Sequence, residues 1–440
     1  MTVFVFVAIV IGILDEVSEK IMRKNLGIGL AGFGVVGRGV YEVLAENGSL
    51  IAERANADFS IQHIICRHPE RVQSIVGPSI TVGSDTHDLI KDPNVDIVIE
   101  VMGGIEPAKS LILGALQSGK SVITANKALL ALHGNEIFDC AKRFDKNVYF
   151  EAAVAGGIPI IKTLREGLTA NRIDSIVGII NGTTNFILSA MQENALTFPQ
   201  ALQLAQQKGY AEADPTFAIE GLDAGHKIAL LASFAFNTPV HFMPENVEGI
   251  TKITTEDIAF AQDVGCSIKL LAIAKNANGK IQCSVHPTLV DNDHFLAHVD
   301  GAMNGVFVQS NALGPSFYYG AGAGSHPTAS AVIADLVDCA RGNAPMRPTA
   351  TAEASYLPPE EIESQYYLRI ANGQSQYLQN LLNNLRVPIE KETFSNEYWI
   401  ALTKPIKEKT IQLLLNKLNQ FEGLIGPVKV LRKESMSMEA

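Results

Sequence analysis

The run Leu26-Gly27-Ile28-Gly29-Leu30-Ala31 is apolar throughout, and Gly32, Gly34 and Gly37 follow it in a Gly-x-Gly-x-x-Gly spacing. A short apolar run that stops at glycine predicts a strand buried on both faces. Helical periodicity over residues 38–47 predicts that the turn feeds into a helix. Further strand-like stretches at 59–66, 96–102, 121–124 and 148–150 predict more strands, with a helical pattern at 107–118. Strands alternating with helices predict an α/β domain with a Rossmann-type, doubly wound parallel sheet. Ligands of such sheets sit beyond the strand C-termini, where Gly32, Arg67, Met102, Gly103 and Lys127 all fall.

The texture changes after residue 150. Glycine, threonine, asparagine and alanine dominate, with short strands and loops to about residue 320, which predicts an α+β substrate domain over 151–319. After Pro358-Pro359 the pattern gives a strand at 366–370, a helix at 375–384, and strands at 387–393 and 398–402. A helix at 406–421 and a strand at 428–432 follow. The order βαββαβ predicts a ferredoxin-like module over 360–435. The Rossmann domain then spans 25–150, completed by 320–350, and residues 1–24 form an extension. Residues 3–14 are apolar and uncharged but too short to span a bilayer. They also lack the basic start and small-residue cleavage site of a signal peptide; they read as an extra strand or a sticky tail, or, the preferred reading, the natural protein starts at Met22.

Charge narrows the function. A net charge of −11 and a pI near 5.4, without any basic cluster, exclude a general nucleic-acid binder. The five cysteines are scattered and never form Cys-x-x-Cys, which suits reduced thiols in the cytoplasm, not a disulfide frame or zinc site. The expected partner is a small molecule, with neither nucleic acid nor membrane.

The glycine turn carries the first chemistry. Gly32 permits the tight turn, Gly34 lets backbone approach a pyrophosphate, and Gly37 lets the helix pack on the strand. Phe33, Val35 and Val36 complete the cofactor-binding turn, and the helix N-terminus offers N–H groups to phosphate. An NAD enzyme usually ends the second strand with an acid that holds the ribose 2′-hydroxyl. Here the strand ends Cys66-Arg67-His68, so Arg67 is read as holding a 2′-phosphate, with NADP as cofactor and NAD as the alternative. Asp223 and Lys227 lie four residues apart on one helix face. Taken alone, that spacing is more often a surface ion pair worth about 0.3–0.5 kcal/mol.

Longer motifs carry a family resemblance from Leu26 onward. They include Gly119-Lys120-Ser121-Val122-Ile123-Thr124-Ala125-Asn126-Lys127, Glu151-Ala152-Ala153-Val154-Ala155-Gly156-Gly157-Ile158 and Asn181-Gly182-Thr183-Thr184-Asn185. Gly209-Tyr210-Ala211-Glu212-Ala213-Asp214-Pro215, Gly221-Leu222-Asp223-Ala224-Gly225-His226-Lys227 and Gly320-Ala321-Gly322-Ala323-Gly324 follow in order. In these the chain resembles the homoserine dehydrogenases. The resemblance implies reversible NAD(P)H-dependent reduction of L-aspartate 4-semialdehyde to L-homoserine, a step toward threonine and methionine. It implies proton transfer by Lys227 with Asp223, and substrate binding by Glu212, Asp223 and Lys127. Lys127, Gly209 and Gly324 would also contact the cofactor. A monovalent cation such as Na+ would be held by Glu151 and by the carbonyls of Val154, Gly156 and Ile158. The C-terminal module would be ACT-like, and the chain a homodimer or homotetramer.

Two departures stand out. Ala218 occupies a position where many members carry aspartate, and Ile370-Ala371-Asn372-Gly373-Gln374-Ser375-Gln376 replaces the acidic-x-Pro-Gly loop of the ACT fold. The first leaves room for a second reading, a non-catalytic NADP-binding paralogue with a regulatory or assembly role. The second predicts weak threonine feedback or none.

Overall fold

β1 (Lys24–Ala31) has no charged residue after its first and is fully buried over its last five positions. β2 (Ala57–Ile65), β3 (Thr81–Gly83), β4 (Ile97–Glu100), β5 (Ser121–Thr124) and β6 (Val148–Tyr149) join it in the order β3-β2-β1-β4-β5-β6. Every pairing is parallel. The chain winds outward from β1 in both directions, which is the Rossmann order. Ile28, Leu30, Ile99 and Ile123 form the centre of its core.

This computed structural model describes residues 23–345, 354–371, 375–394, 398–420 and 428–434. The extension 1–22 and residues 372–374 of the altered C-terminal loop lie outside the described residues. No helix among the described residues is long and apolar enough to cross a membrane.

Helix Val35–Ala55 is longer than its periodic stretch at both ends and stops at Asn56, left-handed at φ 51°. A polar residue tolerates that conformation and ends the helix. Helix Ser325–Arg341 packs across it. A Cβ on Gly39 would lie 2.5 Å from Ser325 Oγ, so only glycine allows that approach. β4 is shorter than the stretch 96–102: Asp96 precedes it, and after Val101, whose N–H still donates to Ala31 O at 2.8 Å, the chain turns at Gly103 and Gly104, both at positive φ.

The chain divides into two compact units. The described residues up to Gly157 with Gly324–Pro345 form the first, and Ile158–Ala323 with the described residues after Pro345 form the second. The second unit holds β7 (Ile173–Ile179), β8 (Cys266–Ala277), β9 (Lys280–Asp291), β10 (Met303–Ser310) and β11 (Gly314–Ala321). β8 and β9 are not the short strands expected there but a long hairpin, turned by Asn278 and Gly279 at φ 53° and 85°. Two left-handed residues match the twist of paired strands.

The C-terminal region follows the order β12 (Glu363–Ala371), helix Ser375–Leu385, β13 (Ile389–Phe394), β14 (Tyr398–Thr403), the two-residue β15 (Ile406–Lys407), helix Glu408–Asn419 and β16 (Lys429–Lys433). Its sheet order β16-β12-β14-β13 is the ferredoxin-like one. The described residues of this module fall within the second unit. β16 pairs in parallel with β9 through Arg432 opposite Thr288 and Lys433 opposite Leu289, which makes one continuous sheet. Asp257 on helix Thr255–Asp263 has no exposed side chain and meets Arg369 at 3.0 Å and Lys429 at 3.4 Å. Phe260 stacks on Tyr367 with ring centroids 4.3 Å apart.

Candidate active site

In the first unit the glycine turn is built by close contacts. Gly32 sits at φ 104°, where a side chain would meet Val101 O at 2.7 Å, and a Cβ on Gly37 would meet Gly32 O at 2.0 Å. Gly34 differs: a Cβ there meets nothing within 4 Å. Its space opens away from the protein, and no side chain caps helix Val35–Ala55. An open backbone position before uncapped N–H groups suits a pyrophosphate. Val35 in the first turn is 69% exposed, while Phe33 and Val36 pack against the core. Arg67 is exposed just past the end of β2.

Met102 and Gly103 follow β4, and Lys127 starts helix Lys127–Arg143 after β5. The other lysine of that motif, Lys120, has a different task. It donates to Asp92 O at 2.7 Å and Val95 O at 2.6 Å before β5 begins. Gly324, at φ 123°, caps helix Ser325–Arg341. Glu151 is buried in a 3-10 turn, and its N–H donates to Asp335 Oδ2 at 2.8 Å. Ala155 and Gly156 are successive left-handed residues at φ 55° and 53°. Glu151 and this turn offer carboxylate and carbonyl oxygens, the donor type that a hard cation takes. Ile158 begins the second unit. No cluster of three or more histidine, cysteine or acidic side chains able to hold a metal occurs among the described residues.

The second unit holds Asp223 and Lys227. Helix Leu222–Ala235 is buried almost all round, as a helix inside a core must be. Lys227 Nζ donates to Asp223 Oδ2 at 2.7 Å and to Ile180 O at 2.7 Å. Asn181 Nδ2 donates to the same carboxylate oxygen at 2.7 Å, while its Oδ1 caps helix Gly182–Asn194 by accepting from Thr184 N–H. The loop bearing Glu212 is tied to that helix. Thr183 Oγ1 donates to Tyr210 O at 2.5 Å, and Phe186 lies 4.8 Å from the Tyr210 ring. Gly209 opens the loop at φ 77°, and Glu212 itself is exposed. Asp214 takes both the N–H and the hydroxyl of Thr216, which hold its carboxyl below the usual range. Ala218 sits on the short helix Thr216–Ile219 that precedes Gly221.

Sequence reasoning missed three polar residues. Glu100 and Asn126 join the exits of β4 and β5, and Asn181 orients Asp223. A charge inside an apolar run and an asparagine at each strand-to-helix turn were the available signals. Thiol chemistry has no support: burial pushes the Cys266 and Cys283 thiols up to about 12 and Cys339 to about 11.

A parallel sheet with an open phosphate cradle in one unit, and a buried lysine–carboxylate pair in the other, are the parts of a nicotinamide-dependent dehydrogenase. Comparison with known proteins makes this specific. The model of the homoserine dehydrogenase NAD-binding domain matches residues 32–151, and that of homoserine dehydrogenase matches residues 159–337. The chain is 42% identical to the homoserine dehydrogenase of Pseudomonas aeruginosa over 435 residues, 94% of this chain and 100% of that one. A solved homoserine dehydrogenase from Thiobacillus denitrificans is 42% identical with a TM-score of 0.88, over 94% of this chain and 99% of that one. A hyperthermophilic archaeal homoserine dehydrogenase, solved in complex with NADPH, is 27% identical with a TM-score of 0.63, over 73% of this chain and 100% of that one. The chain belongs to the homoserine dehydrogenase family. It is an NAD(P)-dependent oxidoreductase that interconverts L-aspartate 4-semialdehyde and L-homoserine. The non-catalytic reading finds no support among these relatives.

Proposed function

We propose that Lys227 moves the proton of this reaction and that Asp223, oriented by Asn181, holds it in place. The carrying observation is the buried Lys227–Asp223 contact at 2.7 Å. A nicotinamide cofactor, when bound, would supply the hydride for the aldehyde carbon. As that carbon is reduced, the carbonyl oxygen gains negative charge and takes a proton from the Lys227 ammonium. In the reverse direction the neutral amine accepts the hydroxyl proton. Glu212 binds the substrate amino group, Lys127 its carboxylate, and Asp223 also contacts substrate.

The cofactor is read as NADP. Gly32, Gly34 and Gly37 hold the pyrophosphate with Phe33, Val35 and Val36, and Arg67 holds the 2′-phosphate. Met102, Gly103, Lys127, Gly209 and Gly324 line the rest of the cofactor site. Glu151, Val154, Gly156 and Ile158 are the candidate ligands of a monovalent cation. The enzyme is assigned to the cytoplasm as a homodimer or homotetramer. Phe295, Leu313 and Tyr319 support self-association: each is more than half exposed, at or beside the sheet-edge strand β11. The ACT-like module is read as a contact element with little or no threonine control. Homoserine oxidation followed by nicotinamide absorbance, with NADP and NAD in parallel, tests this reading; it expects the larger kcat/KM with NADP.

A further inference from the structure

Glu100 ends β4 with no exposed surface. A carboxylate taken out of water must find partners. Its Oε1 accepts from Met102 N–H at 2.8 Å and Gly103 N–H at 3.2 Å. Its Oε2 accepts from Thr124 Oγ1 at 2.7 Å, at the end of the neighbouring strand β5. The Thr124 oxygen in turn accepts from Asn126 N–H at 3.0 Å. Asn126 Nδ2 then donates to Gly104 O at 2.6 Å, while its Oδ1 accepts from Leu129 N–H at 3.2 Å and caps the next helix. A closed circuit of hydrogen bonds therefore runs from the exit of β4 to the exit of β5 and back.

The loop it closes has little stiffness of its own. Gly103 and Gly104 sit at φ 75° and 76°, and glycine visits many other conformations as readily. Without Glu100 two loop N–H groups and the Thr124 hydroxyl lose their shared acceptor. We propose that Glu100 is a positioning residue. It fastens the turn 102–104 and the turn 125–127 into one rigid edge and so sets the affinity for the nicotinamide cofactor. This inference rests on the reading that Met102, Gly103 and Lys127 face the cofactor. Glutamine keeps an acceptor for the two loop N–H groups and can donate to the Thr124 oxygen, so it preserves most of the circuit. Alanine preserves none of it.

The test compares E100A, E100Q and T124V in the full chain. Amide hydrogen exchange of residues 102–104 and 126–129 is measured without cofactor, and NADPH affinity by fluorescence titration. Thermal unfolding shows that each variant is folded. E100A is expected to speed exchange at both turns about ten-fold and to weaken NADPH binding about ten-fold. Its kcat at saturating NADP should change much less, and E100Q should stay near wild type on both readouts. A folded E100A with unchanged exchange and affinity overturns the inference, as does an E100Q as impaired as E100A. Should E100A fail to fold, T124V decides, since it cuts the link to β5. Loss of affinity with faster exchange at 126–129 supports the inference, and wild-type values overturn it. A wild-type chain that does not bind NADPH would defeat the cofactor reading instead, and the exchange comparison still judges Glu100.

Discussion

Lys227 and Asp223 form a buried ion pair, Nζ to Oδ2 at 2.7 Å, with side chains only 10% and 7% exposed. Such a pair is costly to break, because the remaining charge is left in a poorly solvated site. Asp223→Ala should therefore cost about 3–5 kcal/mol of stability and abolish most turnover. Denaturant unfolding together with steady-state rates checks this. Unchanged stability would mean that Lys227 has other sufficient partners.

The glycine turn separates a folding role from a binding role. Gly37→Ala drives a methyl group against Gly32 O, which would be 2.0 Å away, so the turn must distort. A loss of about 1–3 kcal/mol is expected. Gly34→Ala meets no protein atom within 4 Å and should fold as wild type, yet bind NADPH weakly. Melting temperatures and cofactor titrations of the two variants should show opposite patterns.

Arg67 lies exposed after β2, where no acid stands to hold a ribose hydroxyl. Arg67→Ala should raise the KM for NADP about ten-fold or more, since a charged phosphate contact is lost. The KM for NAD should hardly change. Equal losses for the two cofactors would remove Arg67 from the 2′-phosphate site.

The pH dependence of stability should carry a mark of His286. Burial, and then the positive charges of Arg432 and Lys275, keep its pKa well below the ordinary value. Above pH ~6.5 the ring is neutral in folded and unfolded chains and contributes no slope. Below that, the unfolded chain takes up a proton that the folded chain refuses. Stability then falls by up to about 1.4 kcal/mol per pH unit until the folded pKa is reached. His286→Gln should flatten this acid limb between pH 5 and 6.5, measured by melting temperature, and leave the profile above pH 7 in place.

Much of the first unit was legible because the middle of a buried parallel strand leaves no solvated place for a charge. Leu26 to Ala31 and Ile97 to Ile99 stand out as apolar runs for that reason. The strand ends marked where a ligand was to be expected. The C-terminal module was legible as βαββαβ, but its attachment was not. Two residues of pairing between β16 and β9, and the burial of Asp257 against Arg369, are long-range contacts that no local pattern encodes. The hairpin of β8 and β9 did carry a signal, Asn278-Gly279, which fits only a tight two-residue turn. Asp223 and Lys227 showed the right spacing, but that spacing more often describes a surface pair. Only the burial of their helix distinguishes the two.

The account depends most on Lys227 acting on the proton and not merely filling the core. Lys227→Ala should lose about 10²–10⁴ in kcat for homoserine oxidation, while NADPH titration of the same preparation gives a Kd close to wild type. A variant that binds NADPH normally and keeps more than about a third of wild-type kcat would contradict the assignment.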